Sequence, residues 1–380
     1  MKRVYLDNAS TTPLDGEVLE AMLPFLRDQY GNPSSVHAMG RKARYAIEDS
    51  RERVARVLEC EPSEIIFTSG GTEADNLAVH CLEPGPIASS PAEHKAVLTP
   101  LEDHSVRWLP VDSSARVDAD SRILDAVQAA TVMLVNNETG AVNDVALIAD
   151  RLHQHDGVLH VDAVQAAGLL DIRIPVVKAD LMTLSAHKIG GPKGCGLLYV
   201  RAGTPYSEII KGGSQERGRR GGTENVAGIV GFARALEKAT SEKEEWNSQC
   251  RLLRRRLREG LFNLNNINFV ENSTEDGAPH ILNVAFPPVN RNPVDGEMLI
   301  LNLDVEGVCV SSGSACTSGA VEPSHVLLAA GLAPDTAAAS IRVSLGKQNT
   351  VEDVDHAVMV LGKCLDRMVE GPQSARNASV

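Results

Sequence analysis

The chain has 380 residues, of which 43% are hydrophobic and 23% charged, a composition typical of soluble globular proteins and a length that favours two domains. A formal net charge of −13 argues against a general nucleic-acid surface, and seven cysteines, an odd number, do not predict a disulfide framework. No stretch approaches the roughly 20 apolar residues of a membrane helix, and the opening MKRVYLDNASTTP lacks the apolar core of a signal peptide. We therefore expect a cytoplasmic protein with no membrane partner and no direct nucleic-acid partner.

Short apolar runs alternate with helical patterns over the first two thirds of the chain. Residues 41–58 and 145–153 have the periodicity of helices. This alternation predicts an α/β fold, a parallel sheet covered by helices, with ligands at the carboxyl ends of the strands. The predicted buried strands are residues 65–67, 132–135, 158–161, 181–184 and 197–200.

A long helical pattern without proline, residues 226–264, follows and predicts a helix that carries the chain into a smaller α+β unit. We expect a large domain of residues 13–250 and a small domain built from residues 1–12 and 251–380, with a mobile cysteine loop near 311–320. The predicted elements of the small domain are strands 281–286, 308–311 and 341–345 and helices 297–303 and 351–369.

Two polar motifs follow predicted strands in the first half of the chain. TSGGTEADN, residues 68–76, combines small residues with a helix start, so its backbone N–H groups and the Thr72 hydroxyl suit a phosphate. HVDAVQAAG, residues 160–168, places Asp162 at a strand end, where a protonated heterocyclic nitrogen would be a suitable partner, with Gln165 within reach. The alternatives are an ordinary glycine-rich helix start and an aspartate that caps the next helix.

The motif SAHKIGGPKGCG, residues 185–196, places Lys188 between a strand end and a glycine-rich turn. Partial desolvation there would lower the pKa of the lysine and favour Schiff-base chemistry. Ser185 and His187 flank it as candidate phosphate donors. The alternative is a solvated lysine in a surface turn.

Two motifs near the end of the chain supply a thiol and a cation. SSGSACTSG, residues 311–319, surrounds Cys316 with small residues, which is typical of a reactive cysteine on a loop, although an incidental surface cysteine is an equal alternative. SIRVSLG, residues 340–346, buries Arg342 in an apolar strand, where a substrate carboxylate or a structural salt bridge would balance its charge.

The ordered set of motifs resembles the NifS/IscS class of cysteine desulfurases, in the class-V aminotransferase branch of fold-type-I pyridoxal-phosphate enzymes. The resemblance spans nearly the whole chain and implies a large domain with a mostly parallel seven-stranded sheet plus a smaller α+β domain. The motifs that carry it are YLDNASTTP, YGNPSSVH, FTSGGTEADN, EHKAV, VNNETG, HVDAVQ, SAHKIGGPKG, GRRGGTENV, SSGSACTSG and SIRVSLG.

The resemblance implies a role for each matching residue. Lys188 would form the Schiff base with pyridoxal 5'-phosphate, Asp162 would pair with the ring nitrogen, and His94 would stack on the ring and shuttle protons. The remaining implied roles are phosphate binding by Gly71, Thr72, Ser185 and His187, ring-oxygen contacts by Asn137 and Gln165, phosphate binding across a homodimer interface by Thr223, and substrate binding by Arg342, Asn8 and Asn137.

The implied activity converts L-cysteine to L-alanine with a persulfide on Cys316, for delivery to an iron–sulfur scaffold or another sulfur acceptor protein. No intrinsic metal is expected, although Cys316 is a candidate ligand of a transient iron–sulfur cluster. GGTENV favours the nitrogen-fixation branch without fixing the pathway. The alternatives are a selenocysteine lyase or class-V aminotransferase on the same scaffold, and a non-catalytic sulfur-relay scaffold.

Overall fold

A computed structural model describes residues 3–82, 84–264, 268–288, 293–312 and 322–370. The strands are β1 (Val4–Tyr5), β2 (Ile65–Thr68), β3 (Ile87–Ser89), β4 (Val106–Trp108), β5 (Ala129–Met133), β6 (Val158–Asp162), β7 (Leu181–Ser185), β8 (Gly196–Val200), β9 (Val270–Glu271), β10 (Ile281–Ala285), β11 (Val308–Cys309) and β12 (Ser340–Ser344). The helices are α1 (Gly16–Arg27), α2 (Ala38–Leu58), α3 (Gly71–His80), α4 (Lys95–Leu101), α5 (Val145–His153), α6 (Ile174–Val177), α7 (Val226–Ser241), α8 (Lys243–Phe262), α9 (Gly296–Val305), α10 (His325–Ala329), α11 (Pro334–Ala338) and α12 (Val351–Glu370).

The central sheet has seven strands in the order β2-β8-β7-β6-β5-β3-β4. The strands from β7 to β4 are parallel, because helical segments cross over between most of them, whereas β8 pairs antiparallel with both β7 and β2. Thr68 and Ser185 therefore both lie opposite Gly196, with the carboxyl ends of β2 and β7 at one edge. Gly196 is required there, since a Cβ would approach the Gly70 backbone to 2.6 Å.

Each of the five strands predicted in the large unit overlaps a strand of the central sheet, although β5 (Ala129–Met133) lies earlier in the chain than the predicted 132–135. The α/β architecture with a seven-stranded, mostly parallel sheet is confirmed. The single helix predicted over residues 226–264 is wrong, because Glu242 leaves helical geometry at φ −96° and ψ 5° and separates α7 from α8. Packing explains the break. The apolar face of α7 packs into the core beneath the central sheet, whereas Trp246 and Leu253 of α8 belong to a second apolar cluster.

The second cluster forms around β10 and its antiparallel neighbours β12 and β9. Val4 and Leu6 pack into this cluster, where β1 runs parallel to β11. The amino-terminal residues thus join apolar side chains from the last third of the chain, while the domain boundaries given above stay a prediction. Within the described ranges, no helix has both the length and the apolarity needed to cross a membrane.

Candidate active site

A cavity of about 390 Å³ opens at the carboxyl edge of the central sheet. Strand ends supply much of its wall, because Asp162 closes β6 and Ser185 closes β7. Most of the residues selected from the sequence meet in this one cavity, namely Gly71, Thr72, His94, Asn137, Asp162, Gln165, Ser185, His187, Lys188 and Arg342.

Lys188 lies one turn beyond β7, at the end of a short 3-10 segment. Its Nζ donates hydrogen bonds to the carbonyl oxygens of Ala9 (2.6 Å) and Ser10 (2.9 Å). Burial, and next the positive charge of Arg342, lower the pKa of Lys188 to about 8. About a tenth of this amine is therefore neutral, and nucleophilic, at pH 7, far more than for a lysine of ordinary pKa.

Asp162 and His94 face the cavity from different elements. The Asp162 carboxylate accepts a hydrogen bond from the Val164 N–H (2.9 Å); burial raises its pKa, and His94 and Lys188 oppose that rise. His94 caps α4, where its Nδ1 accepts from the Ala96 N–H (3.1 Å), so the neutral ring carries its proton on Nε2. The ring is open to the cavity, yet the surrounding protein desolvates it and lowers the pKa of His94.

The opposite end of the cavity is built from neutral hydrogen-bond donors. Gly71 begins α3 against Val164, whose Cγ2 would lie 3.1 Å from an added Cβ, so a bound group can approach the backbone closely. Ser185 is buried beside it. Burial and the neighbouring Lys188 lower the pKa of His187 to about 4, while its Nδ1 contacts the Thr11 hydroxyl at 3.2 Å. A helix amino terminus with neutral donors suits a phosphate.

Arg342 is fixed in the cavity wall by three neighbours. Its guanidinium donates to the Asn137 carbonyl (2.7 Å), the Asp7 carboxylate (3.0 Å) and the Ser10 hydroxyl (2.7 Å). The pairing with Asp7 is the structural salt bridge that the sequence left open. Its Nε is nevertheless buried without a partner. The described contacts therefore fix the cation and leave one donor for a ligand.

Three of the selected residues do not line this cavity. Asn8 was expected in the substrate pocket, but it lies 3% exposed behind it, where its amide donates to the Ser344 carbonyl (2.9 Å) and accepts from Gln348. Thr223 is exposed and lines a separate small cavity. Cys316 and most of the predicted cysteine loop lie outside the described residues.

Five unpartnered polar atoms test whether a phosphorylated heterocycle fits. All are buried without a partner and belong to residues that line the cavity, namely Ser185 Oγ, Asn137 Oδ1, Asp75 Oδ1, Ser311 Oγ and Arg342 Nε. Unsatisfied buried polar atoms are rare in native proteins. Their concentration here, with Lys188 and Asp162, fits pyridoxal phosphate: a hydroxyl for its phosphate, an amide for its ring oxygen and an amine for its aldehyde.

Sequence reasoning did not select Asp75 or the backbone contacts of Ala9 and Ser10 to Lys188. Asp75 lies in the quoted motif TSGGTEADN, three residues after Thr72, and that helical spacing places both residues on one face of α3. The spacing was the available signal for Asp75. No local pattern indicates that a backbone carbonyl near residue 9 would reach a lysine near residue 188.

Comparison with known proteins agrees with this geometry. The family model described as "Aminotransferase class-V" matches residues 4–357, so the chain belongs to that family. The fold type and the cofactor predicted above, pyridoxal 5'-phosphate, are confirmed by this membership.

Individual relatives and a solved structure show which members of this family the chain is similar to. "Cysteine desulfurase IscS" of Methanosarcina thermophila is 40% identical over 97% of this chain and 93% of its own length. "Putative cysteine desulfurase IscS 1" of Bacillus subtilis is 40% identical over 97% of this chain and all of its own. The solved structure of a NifS-like protein has a TM-score of 0.87 at 37% identity, covering 96% of this chain and 99% of the other. The predicted resemblance is confirmed.

Proposed function

We propose that this chain is a pyridoxal-phosphate-dependent cysteine desulfurase that converts L-cysteine to L-alanine and holds the sulfur as a persulfide on Cys316. The observation that carries the proposal is the cavity that unites Lys188, Asp162 and Arg342 in a chain about 40% identical to cysteine desulfurases over nearly its full length. A non-catalytic relay protein would have no use for that combination.

Once bound, pyridoxal phosphate acts as an electron sink for the substrate Cα. Lys188 would hold the cofactor and, as an amine with a pKa of about 8, exchange a proton with the substrate Cα. Arg342 would orient the substrate carboxylate through its free Nε. Asp162 would stabilise the protonated ring nitrogen, and His94 would present its Nε2–H to the reacting groups.

Cys316 supplies the nucleophile for sulfur. A bond forms between its Sγ and the substrate sulfur, the substrate Cβ–S bond breaks, and Cβ takes up a proton to leave alanine. The reaction needs no external oxidant. Ser311 lines the cavity and pairs through its backbone with Arg342, so Cys316, five residues later, has a reach of up to about 17 Å from that point.

The other thiols are poor candidates for this role. None of the six described cysteines lines the cavity. Burial raises the pKa of every one of them, to about 12 for Cys60, Cys195 and Cys250, so the nucleophilic thiolate is scarce at these positions. Cys316 is the cysteine that remains.

The experiment that tests the proposal incubates the loaded enzyme with L-cysteine and measures alanine, sulfide and persulfidated peptides. Cys316→Ser should abolish the persulfide and reduce alanine formation by a factor of about 10² or more. Cys309→Ser, which changes the nearest described cysteine, should leave both unchanged. If Cys316→Ser formed alanine and sulfide from cysteine at the wild-type rate, the chain would not be a desulfurase of this type.

The assembly and location are part of the proposal. We propose a homodimer in which Thr223 of each chain reaches the phosphate site of the other; in support, Thr223 is exposed and absent from its own chain's cavity. The sulfur acceptor would be a protein that docks near the Cys316 segment, an iron–sulfur scaffold being the first to test. A cytoplasmic location is supported by the free thiols of the described cysteines.

A further inference from the structure

A group of buried polar residues lies behind Asp162, and the proposed mechanism makes no use of it. Asp75 comes from α3, His160 from β6, Thr131 from β5 and Thr183 from β7. None of the four is more than 2% exposed. Four polar side chains so fully removed from water must satisfy one another, because an unpaired buried polar group costs about 1–3 kcal/mol.

The four side chains form one hydrogen-bonded chain. The Thr131 hydroxyl lies 2.8 Å from Nδ1 of His160, and the Thr183 hydroxyl lies 3.0 Å from Nε2 of the same ring. Thr183 also hydrogen-bonds the Asp75 carboxyl, whose Oδ1 lies 3.6 Å from His160 Nε2. Burial lowers the pKa of His160 to about 3, so the imidazole is neutral at any working pH.

A neutral imidazole has one donor and one acceptor nitrogen, so this chain has two possible directions. If Asp75 is ionised, Thr183 donates to its carboxylate, His160 Nε2–H donates to Thr183, and Thr131 donates to Nδ1. If Asp75 is protonated, every bond reverses: the carboxyl donates to Thr183, Thr183 to Nε2, and Nδ1–H to Thr131. The tautomer of His160 therefore reports the charge of Asp75.

The surroundings of Asp75 decide between the two directions. The charged groups that act on it are the carboxylates of Asp162 and Glu93, both buried, and no lysine or arginine is paired with it within the described chain. Its Oδ1 has no hydrogen-bond partner. Burial, and then the charge of Asp162, raise the pKa of Asp75 well above its ordinary value, and the hydrogen bond with Thr183 offsets only part of that rise. A carboxylate without a counter-charge in such a place takes up a proton.

We infer that Asp75, buried beside Asp162 without a counter-charge, is protonated and donates into the chain Thr183–His160–Thr131, with His160 as its Nδ1–H tautomer, and that this leaves Asp162 as the ionised carboxylate of the pair. Asp75 is thus a positioning residue: it fixes the negative charge of this pair of carboxyl groups on Asp162 without touching the substrate. The functional part of this inference rests on the role of Asp162 in the proposed desulfurase. The charge state of Asp75 and the tautomer of His160 do not depend on that role.

The decisive measurement is the tautomer of His160 in the full-length protein labelled with ¹⁵N-histidine, with and without pyridoxal phosphate. The resonances of His160, identified by their loss in His160→Gln, should show a proton on Nδ1 and a bare Nε2. A proton on Nε2 would overturn the inference. Because the measurement needs no cysteine, its outcome is separate from the success or failure of the desulfurase assignment.

Asp75→Asn provides the matched variant, since the amide is neutral and still donates to Thr183. We expect the same His160 tautomer and the same pH midpoint of Lys188 as in the wild-type protein. If Asp75 were ionised, the variant would remove a negative charge, lower the Lys188 midpoint and change the tautomer. Thr183→Val removes the hydroxyl that links Asp75 to His160, so the tautomer of His160 should no longer depend on Asp75. Thr183→Ser keeps the hydroxyl and should keep that dependence.

Discussion

The lowered pKa of Lys188 follows from where the chain places its amine. An amine on the surface keeps a pKa near 10.4 and is almost fully protonated at neutral pH. Here burial and Arg342 lower the pKa to about 8, and two carbonyl oxygens hold the Nζ in place. The carboxylates of Asp162 and Asp7 favour the protonated amine, but their influence on this pKa is smaller than that of burial and Arg342.

Removing this amine should remove the attachment of the cofactor. In Lys188→Ala, borohydride should no longer fix pyridoxal phosphate to the protein, and alanine formation should fall by a factor of about 10³ or more, since nucleophile and base are lost together. Mass spectrometry after reduction checks the first effect. Lys193→Ala, an exposed lysine of the same motif, is the control and should keep both. Fixation that persists in Lys188→Ala would place the attachment at another lysine.

The pKa of Lys188 predicts a pH dependence with a definite sign. Attachment of pyridoxal phosphate to the cofactor-free chain requires the neutral amine, so its rate should rise with pH and level off above about 8. Arg342→Gln removes a positive charge that lowers this pKa, and the midpoint should therefore move to higher pH. Arg342→Lys keeps the charge and should keep the midpoint near wild type. A midpoint that falls in Arg342→Gln would contradict this electrostatic account.

At the scale of elements, the segment between β8 and α7 is anchored by one buried ion pair. Arg51 of α2 and Glu216 are 2% and 5% exposed and form two hydrogen bonds, at 2.8 and 2.9 Å. Arg51 also donates to the Ile65 carbonyl, and Glu216 accepts from the Phe67 N–H, so the pair is tied to β2 on both sides. The anchor holds the segment that carries Thr223 and maintains Glu216 at an unusual φ of 46°.

Breaking this pair should be costly because it leaves a buried charge without its partner. Arg51→Met should lower the free energy of unfolding by about 3–5 kcal/mol, as measured by urea denaturation. Arg256→Met removes an exposed arginine that pairs with Asp355, and its urea midpoint should stay close to wild type. Equal effects of the two substitutions would mean that the Arg51–Glu216 pair is not an anchor.

Five of the seven central strands could be predicted because their runs are apolar and mostly buried. Strands β3 and β4 were missed because each has only three residues; the Arg107 and Trp108 side chains of β4 are also exposed, so it has no apolar run. The candidate site residues could likewise be predicted only where a local pattern marks their position. Asp162 could be selected because it closes β6, and Lys188 because it follows the end of β7 by three residues. The position of Asn8 behind the cavity could not be predicted, because its partners, Ser344 and Gln348, lie more than 330 positions away along the chain.

At the scale of the whole molecule, the cavity joins two apolar clusters. Leu6 packs with β10 and β12 in the second cluster, and a few residues later Ala9 and Ser10 bond Lys188, which follows β7 of the central sheet. Arg342 of β12 reaches the same place from the opposite side. The amino-terminal segment therefore couples the position of Arg342, the proposed substrate clamp, to that of Lys188, the proposed cofactor lysine, and a displacement of either cluster would change both.

The proposed homodimer makes a prediction that distinguishes sharing of the active site from simple association. If Thr223 serves the partner chain, mixing Lys188→Ala chains with Thr223→Ala chains creates heterodimers with one complete site, formed by Lys188 of one chain and Thr223 of the other. Thr223→Ala alone should weaken cofactor binding about tenfold or more, because it removes a hydrogen bond to a charged group.

After subunit exchange, the activity of the mixture at limiting cofactor should exceed the sum of the activities of the two variants measured separately. Activity equal to that sum, with subunit exchange verified by mass spectrometry, would place Thr223 in the site of its own chain or in none.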